Sequence, residues 1–520
     1  MKKMRTLVTL AVFLLAAQTA MAATYYVRSG AAGSKDGSDW TNAYTALPST
    51  LVRGSIYYVA GGSYAGRTFN TAASGSSVIT IKGATISDHG TNAGWSDSYS
   101  VNVDEGGSQA VWTSGVSFNS SYWVFDGSVG PVWSKNPDQY GFLMSSTRYP
   151  FTVYNTSSAI SDITIAHAAC TAPSGDVEKF FVSTNNSTKS VGNVTISHTY
   201  ANAFQNTIWA TSAGLAMDNW VYEYSVSLNG WGSSANHGED LNNNYGKLGL
   251  TARYNWFEGR QSSGSTGCIV CNNGSCQPYY IYGNVFKNMS GGDGCITGVH
   301  YTVSGAVYNN VFINFNTGYN NGQWIGHDVS STVYNNIIYT GNAAIGSSVT
   351  HDYNAYFGTT STPSESHGYS GSGSPFVNVN GNDLNLISSV ASAMAAGVAL
   401  TAPYNQDAWG SARGGDGKWD RGVLEYGGAQ VAYFTVTPSA GTNGSISASS
   451  PQTVASGGTI QFSVIANAGY TATVGGSCGG ILSGTTFTTN PVTANCTVLA
   501  TFSPAAGVSR PSPPPTVSIQ

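Results

Sequence analysis

Ionisable side chains are scarce in this chain, so a stretch where they gather is the first place to look for chemistry. Asp, Glu, Lys and Arg make up 9% of its 520 residues. From His237 to Arg260, 24 positions hold six of them: Glu239, Asp240, Lys247, Arg253, Glu258 and Arg260. Trp231 and Trp256 flank or join the group. Such residues suit cleavage of an acidic polysaccharide. β-Elimination needs a base for the C5 proton, a cation or amide to neutralise the uronate carboxyl, and an acid for the leaving oxygen. His237 is a candidate base. Arg253, Arg260 and Lys247 are candidates for neutralising the carboxylate, or for the base if their pKa is depressed. Hydrolysis instead needs two carboxylates at a set separation. Glu239 and Asp240 are adjacent, so on a strand they face opposite ways and cannot be that pair. Asp240 with Asp293 is the better candidate. Trp231 and Trp256 are candidate sugar platforms and Lys247 a candidate substrate contact, although packed aromatics are commoner. The same charges also fit an ion-paired patch that solvates one face and holds a loop.

The elements that must position these residues come from a repeat. Val307-Tyr308-Asn309-Asn310-Val311-Phe312 recurs as Val333-Tyr334-Asn335-Asn336-Ile337-Ile338, and Ile281-Tyr282-Gly283-Asn284-Val285-Phe286 is a weaker copy. Asn284, Asn310 and Asn336 are spaced 26 residues apart. Ala252 to Phe257 and Tyr353 to Phe357 fit the same template, and Val221 to Ser225, Val194 to His198 and Ile163 to His167 fit it more loosely. A period in the twenties, with short alternating strands and Asn/Gly bends, predicts a β-solenoid. Equal positions then stack in successive coils, and the recurring Asn is expected to form a structural hydrogen-bond ladder. His167 and His198 are read as structural members of the same template. Leu215, Leu241, Ile269 and Ile296 are aligned as inward positions. That register puts Asp240, Cys268 and Cys295 in one outward column, with Asp293 on the same face. His237 and Glu239 share the inward parity and reach solvent only if the strand begins after Glu239.

Composition narrows the class. A net charge of -5 argues against nucleic acid. Hydrophobic residues at 41% and aromatics at 12% argue against disorder. The 64 glycines lack a collagen period and suit many short strands and tight bends. Lys2, Lys3 and Arg5, the apolar run Leu7 to Ala17 and the small-x-small site Ala20-Met21-Ala22 predict a signal peptide over residues 1-22. Secretion to the exterior or cell surface follows, with no membrane span after cleavage.

Both ends of the main body resemble a known group. Trp40-Thr41-Asn42-Ala43-Tyr44, with Gly54 to Tyr64, looks like the opening of secreted pectate-lyase-like β-helix proteins. Trp419-Asp420-Arg421-Gly422-Val423-Leu424-Glu425-Tyr426 looks like their closing segment. The resemblance implies an all-β fold, a right-handed parallel β-helix over residues 23-428. It does not settle chemistry, because that superfamily holds lyases, hydrolases, epimerases and adhesins. Residues 431-503 lack the 26-residue period. Thr435 to Gly441, Gly444 to Ser447, Ala468-Gly469-Tyr470 and Cys496-Thr497-Val498 resemble an internalin-type divergent B-repeat, a small β-grasp-like module of spacer or interaction type. Residues 504-520, with Pro511-Ser512-Pro513-Pro514-Pro515, read as an extended linker or tail.

Export favours disulfides over a metal or cluster site for Cys268-x2-Cys271-x4-Cys276. A Cys268–Cys295 bridge and a Cys271–Cys276 loop closure both fit, with other pairings open. Cys478 with Cys496 is the expected staple of the module, and Cys170 is left as a buried thiol. No cofactor is required; calcium at Asp36-Gly37-Ser38-Asp39 is the one candidate, and a turn is the favoured role there. The leading expectation is a monomeric, secreted carbohydrate-active protein, a lyase or hydrolase with polysaccharide or cell-surface glycan as its partner. The rival is a non-enzymatic surface or matrix protein that binds through the same elongated face.

Overall fold

The computed structural model describes residues 23–145, 147–154, 158–173, 178–185, 190–231, 238–260, 267–272, 276–289, 295–298, 304–315, 324–326, 330–426, 433–447, 452–455 and 458–505. The segment read as a signal peptide and most of the tail lie outside them. No helix among the described residues is long and apolar enough to cross a membrane.

One inward column runs Val116, Phe151, Phe181, Ile208, Leu241, Ile269, Ile296, Ile325 and Ile345. A second runs Ile81, Phe125, Ile165, Ile196, Tyr222, Ala252, Ile281, Val307 and Val333. A third includes Cys170, Ala201, Ser227, Phe257, Phe286, Phe312 and Ile338. The three columns meet in one continuous interior cluster. Thus Leu241, Ile269 and Ile296 align as expected, but their partner in the preceding coil is Ile208, not Leu215. This coil spans 33 residues from Ile208 to Leu241, so counting back 26 lands on Leu215, and the strand Asn206–Glu223 further carries register shifts after Ala210, Thr211 and Met217.

The bend between the second and third strands is a single residue in the left-handed region. His167, His198, Tyr224, Tyr254, Gly283, Asn309, Asn335 and Tyr353 take it in turn, with φ from 49° to 66°. Asparagine and glycine bear this conformation at least cost. At Gly283 a side chain is also excluded by space, since a Cβ would lie 2.5 Å from the Tyr254 ring. The next residue of each bend turns inward and builds the ladder. The Oδ1 of Asn284, Asn310, Asn336 and Asn354 accepts from the backbone N–H and the amide of the asparagine one coil earlier, at 2.9–3.0 Å. The ladder ends at Glu365, which accepts from the Asn354 N–H at 2.8 Å and from its amide at 2.8 Å. The asparagines are structural because each closes bonds that a buried bend would otherwise leave unmade.

The third sheet is apolar on its outer face as well. Tyr200, Val226, Trp256, Val285, Val311, Ile337 and Ala355 stack there under Phe376, Leu384, Leu386, Met394, Val423 and Leu424. This explains the paired apolar residues at the end of each repeat: one packs inside and one beneath the returning chain. The closing segment is pinned by the Gly422 N–H to Asn335 O at 2.7 Å and by Arg421 to Ala393 O at 2.7 Å.

The C-terminal module has two four-stranded sheets. Tyr433–Ala440 and Cys496–Pro504 pair in parallel at the centre of one, and Gln461–Ala466 lies within the other. Val436, Phe462, Val464, Phe487 and Val498 form its core.

Three disulfides join Cys268 to Cys295, Cys271 to Cys276 and Cys478 to Cys496, with Cα separations of 4.6, 6.3 and 5.0 Å. Cys170 is free and buried, and burial pushes its thiol up to about 12.

Candidate functional site

The expected charged stretch is drawn into the body of the helix. Asp240, Cys268 and Cys295 do stack in one column, but it faces inward, at 2%, 3% and 0% exposure. The strand Glu239–Arg253 begins at the carboxylates, so they enter the coil instead of standing off it. Asp240 Oδ1 accepts from the Ser227 hydroxyl of the interior column at 2.7 Å. Arg260 closes on the same carboxylate through Nε to Oδ2 and Nη2 to Oδ1, both 2.9 Å, and its Nη1 reaches Gln205 O at 3.1 Å. Two charges so far from water persist only because they satisfy each other.

The other expected residues scatter. Arg253 holds Glu223 at 2.7 Å through Nε and the Tyr282 hydroxyl at 3.1 Å through Nη1. Burial works against its charge, but Tyr282 and Glu223 more than offset this and raise its pKa, the reverse of what a base needs. Trp256 is 1% exposed on the covered face, with Lys135 Nζ 4.1 Å from its ring centroid, so it offers no platform to solvent. Trp231 is half-buried and Lys247 is exposed. His237 and Asp293 lie outside the described residues. Asp36 accepts from the Ser34 hydroxyl at 2.7 Å and the Ser38 N–H at 2.9 Å, and Asp39 from the Asn42 N–H at 2.7 Å, which makes that segment a hydrogen-bonded turn. Among the described residues no group of three or more His, Cys, Asp or Glu could hold a metal ion.

One member of the stretch does belong to an unusual site. Lys179, Asn206 and Glu239 occupy equivalent positions in three successive coils. Asn206 Nδ2 donates to Glu239 Oε2 at 2.9 Å, and Asn242 Nδ2 donates to the same oxygen at 2.7 Å. The Lys179 ammonium donates to Gln205 Oε1 at 3.1 Å and sits 3.7 Å from the centroid of the Trp209 ring. Glu178 is 2% exposed, and the outlying guanidinium of Arg148 approaches it at 3.9 Å. Burial brings the Lys179 pKa down to about 8; Arg148 pushes the same way, while Glu239 and Glu178 oppose. The Oδ1 atoms of Asn206 and Asn242 are buried without a protein partner. Each is a buried acceptor that the protein leaves unmatched, and such acceptors take donors from ordered water or from a ligand.

Sequence reasoning passed over Lys179, Glu178 and Arg148 because they lie in earlier coils. A signal existed. Phe181 stacks beneath Ile208 and Leu241, and carrying that register back places Lys179, two residues before Phe181, under Glu239.

Fold and site together define a parallel β-helix protein with a lysine buried between carboxylates on its first sheet. No protein-family profile matches the chain, and no curated protein matches it. Among solved structures the chain is similar to pectate lyase Pel9A, at 13% identity and a TM-score of 0.48, over 79% of this chain and 98% of that one. It is also similar to an arginine-to-alanine variant of the PL6 family alginate lyase AlyGC, at 12% identity and a TM-score of 0.31, over 75% of this chain and 59% of that one.

Proposed function

We propose that this chain is a secreted, carbohydrate-active protein that binds an extracellular uronate-containing polysaccharide and cleaves it by β-elimination, with Lys179 as the base. The observation that carries this reading is the Lys179 amine, buried against Trp209 beside Glu178 and Glu239 with its pKa brought down to about 8. About a tenth of such lysines are neutral at pH 7, against well under a thousandth for an ordinary one. The neutral amine takes the C5 proton. The C–H electron pair forms the C4–C5 double bond as the C4–O bond breaks, and the lysine then carries the proton that the leaving oxygen needs. Arg148 is the nearby cation suited to the uronate carboxyl, and the unmatched oxygens of Asn206 and Asn242 suit sugar hydroxyls. Three disulfides fit an oxidising, extracellular setting.

The purified mature chain is to be incubated with polygalacturonate, alginate and other uronate polymers while the absorbance of the unsaturated product is followed. Growth of that band in the wild type and its loss in Lys179→Met support the reading. Absence of the band with every polymer sinks it. A second reading, glycan binding without cleavage, is favoured by the closed pairing of Asp240, Arg260 and Arg253 with protein groups. Binding without the band or new reducing ends would decide for it.

A further inference from the structure

The second sheet carries a separate feature on its outer face. A trough of about 380 Å³ is lined by Asp218, Asn219, Gly249, Thr251, Gln277 and Tyr280. None of these belongs to the Lys179 site, which lies on the first sheet of the same coils.

The trough exists because an exterior ladder stops. Asp162, Asn193 and Asn219 stand at equivalent bends in successive coils, all in the left-handed region at φ 60°, 49° and 57°. Asn193 Nδ2 donates to Asp162 Oδ1 at 3.1 Å, and Asn219 Nδ2 donates to Asn193 Oδ1 at 3.1 Å. Met217 pairs with Leu248 and Trp220 with Leu250, so Asp218 and Asn219 together face the single residue Gly249 in the next coil. With no side chain there the ladder ends, and Asn219 Oδ1 meets no further rung. One coil on, Thr251 pairs with Tyr280, whose neighbours Tyr279 and Ile281 are buried while it is 41% exposed.

A partly exposed aromatic ring beside a glycine floor, edged by amides, a hydroxyl and a carboxylate, matches the surface of a sugar. The apolar face of a pyranose stacks on a ring, and its hydroxyls pair with amide and carboxylate oxygens. We propose that this trough is an accessory subsite for neutral sugar residues of a glycan chain. The Asp218 carboxylate beside it repels uronates, so its ligand differs in charge from the one suited to the lysine site. The proposal does not depend on cleavage at Lys179.

Native gels cast with xylan, galactan or glucomannan test it, with polygalacturonate and alginate gels for comparison. Retardation of the wild type by at least one neutral polymer is expected. Tyr280→Ala should weaken that retardation about tenfold, the loss of one stacking contact. Gly249→Leu should abolish it by filling the trough. A Cβ at Gly249 meets Gln277 Cβ at an ordinary 3.4 Å, so the backbone tolerates the change. Lys179→Met should leave retardation intact even if it abolishes uronate cleavage, which separates the two sites. No retardation by any neutral polymer, or retardation that survives both trough variants, overturns the proposal.

Discussion

Asp240 and Arg260, 20 residues apart, meet inside the helix through two parallel hydrogen bonds of 2.9 Å, each side chain 2% exposed. The pair ties the start of the strand Glu239–Arg253 to the chain that leaves the third sheet after Trp256–Glu258. Its geometry is that of a strut, and its charge is not offered to a ligand.

Removing one partner therefore strands a buried charge. Asp240→Ala and Arg260→Ala are each expected to cost about 3–5 kcal/mol, whereas Asp240→Leu combined with Arg260→Met should recover most of the loss. Thermal unfolding followed by circular dichroism reads all three. Equal melting temperatures for the single variants and wild type would show that the pair contributes nothing.

Lys179 makes a pH prediction. Its folded pKa of about 8 lies below the ordinary lysine value of 10.5, so the neutral, basic form is favoured by the fold. Cleavage should rise with pH up to about 8 and then level off. Stability has the same sign. Between about 8 and 10.5 the unfolded chain holds the proton that the folded chain has released, so stability grows with pH across that window. In Lys179→Met both the activity limb and this slope should vanish.

The asparagine ladder should be cooperative. Asn310 accepts from the Asn284 N–H and amide and donates to Asn336 Oδ1 and to Ile281 O. Asn310→Ala removes four bonds and takes the partner from the buried Asn284 N–H and amide and from Ile281 O, while Asn336 Oδ1 keeps the residue-310 N–H, for an expected loss of about 2–4 kcal/mol. Asn314, whose amide also bonds one coil back but at an exposed position, should lose less on change to alanine, about 1 kcal/mol, most of it from holding alanine at φ 51°. Urea denaturation of the two variants makes the comparison.

Cys268 and Cys295 close a loop with a sequence separation of 27. Replacing both by alanine should cost about 3.5 kcal/mol on chain-entropy grounds, and reduction by dithiothreitol under partly denaturing conditions should lower the melting temperature of the wild type by more than that of the double variant, which keeps only the Cys271–Cys276 and Cys478–Cys496 bridges. Differential scanning calorimetry with and without reductant checks this.

Much of the architecture was legible in the chain. A solenoid repeats its solution, so the 26-residue spacing of Asn284, Asn310 and Asn336 announced both the stacking and the ladder. The register of Leu241, Ile269 and Ile296, and the Cys268–Cys295 contact, followed from the same periodicity. Leu215 failed because the coil from Ile208 to Leu241 spans 33 residues, so a count of 26 back from Leu241 misses its partner by seven.

By itself the sequence determined which positions stack, since hydrogen-bonding between coils makes spacing along the chain a direct measure of height along the axis. The tertiary structure decided which way the charged residues at strand ends face. Parity predicts direction only within a strand, and Asp240 and Glu239 stand where a strand begins, so the bend and its partners aim them. Asp240 turns inward to Ser227 and Arg260, and Glu239 turns to Asn206, Asn242 and the neighbourhood of Lys179. The lowered pKa of Lys179 arises from burial among residues of three coils, a property that no segment of the chain carries alone.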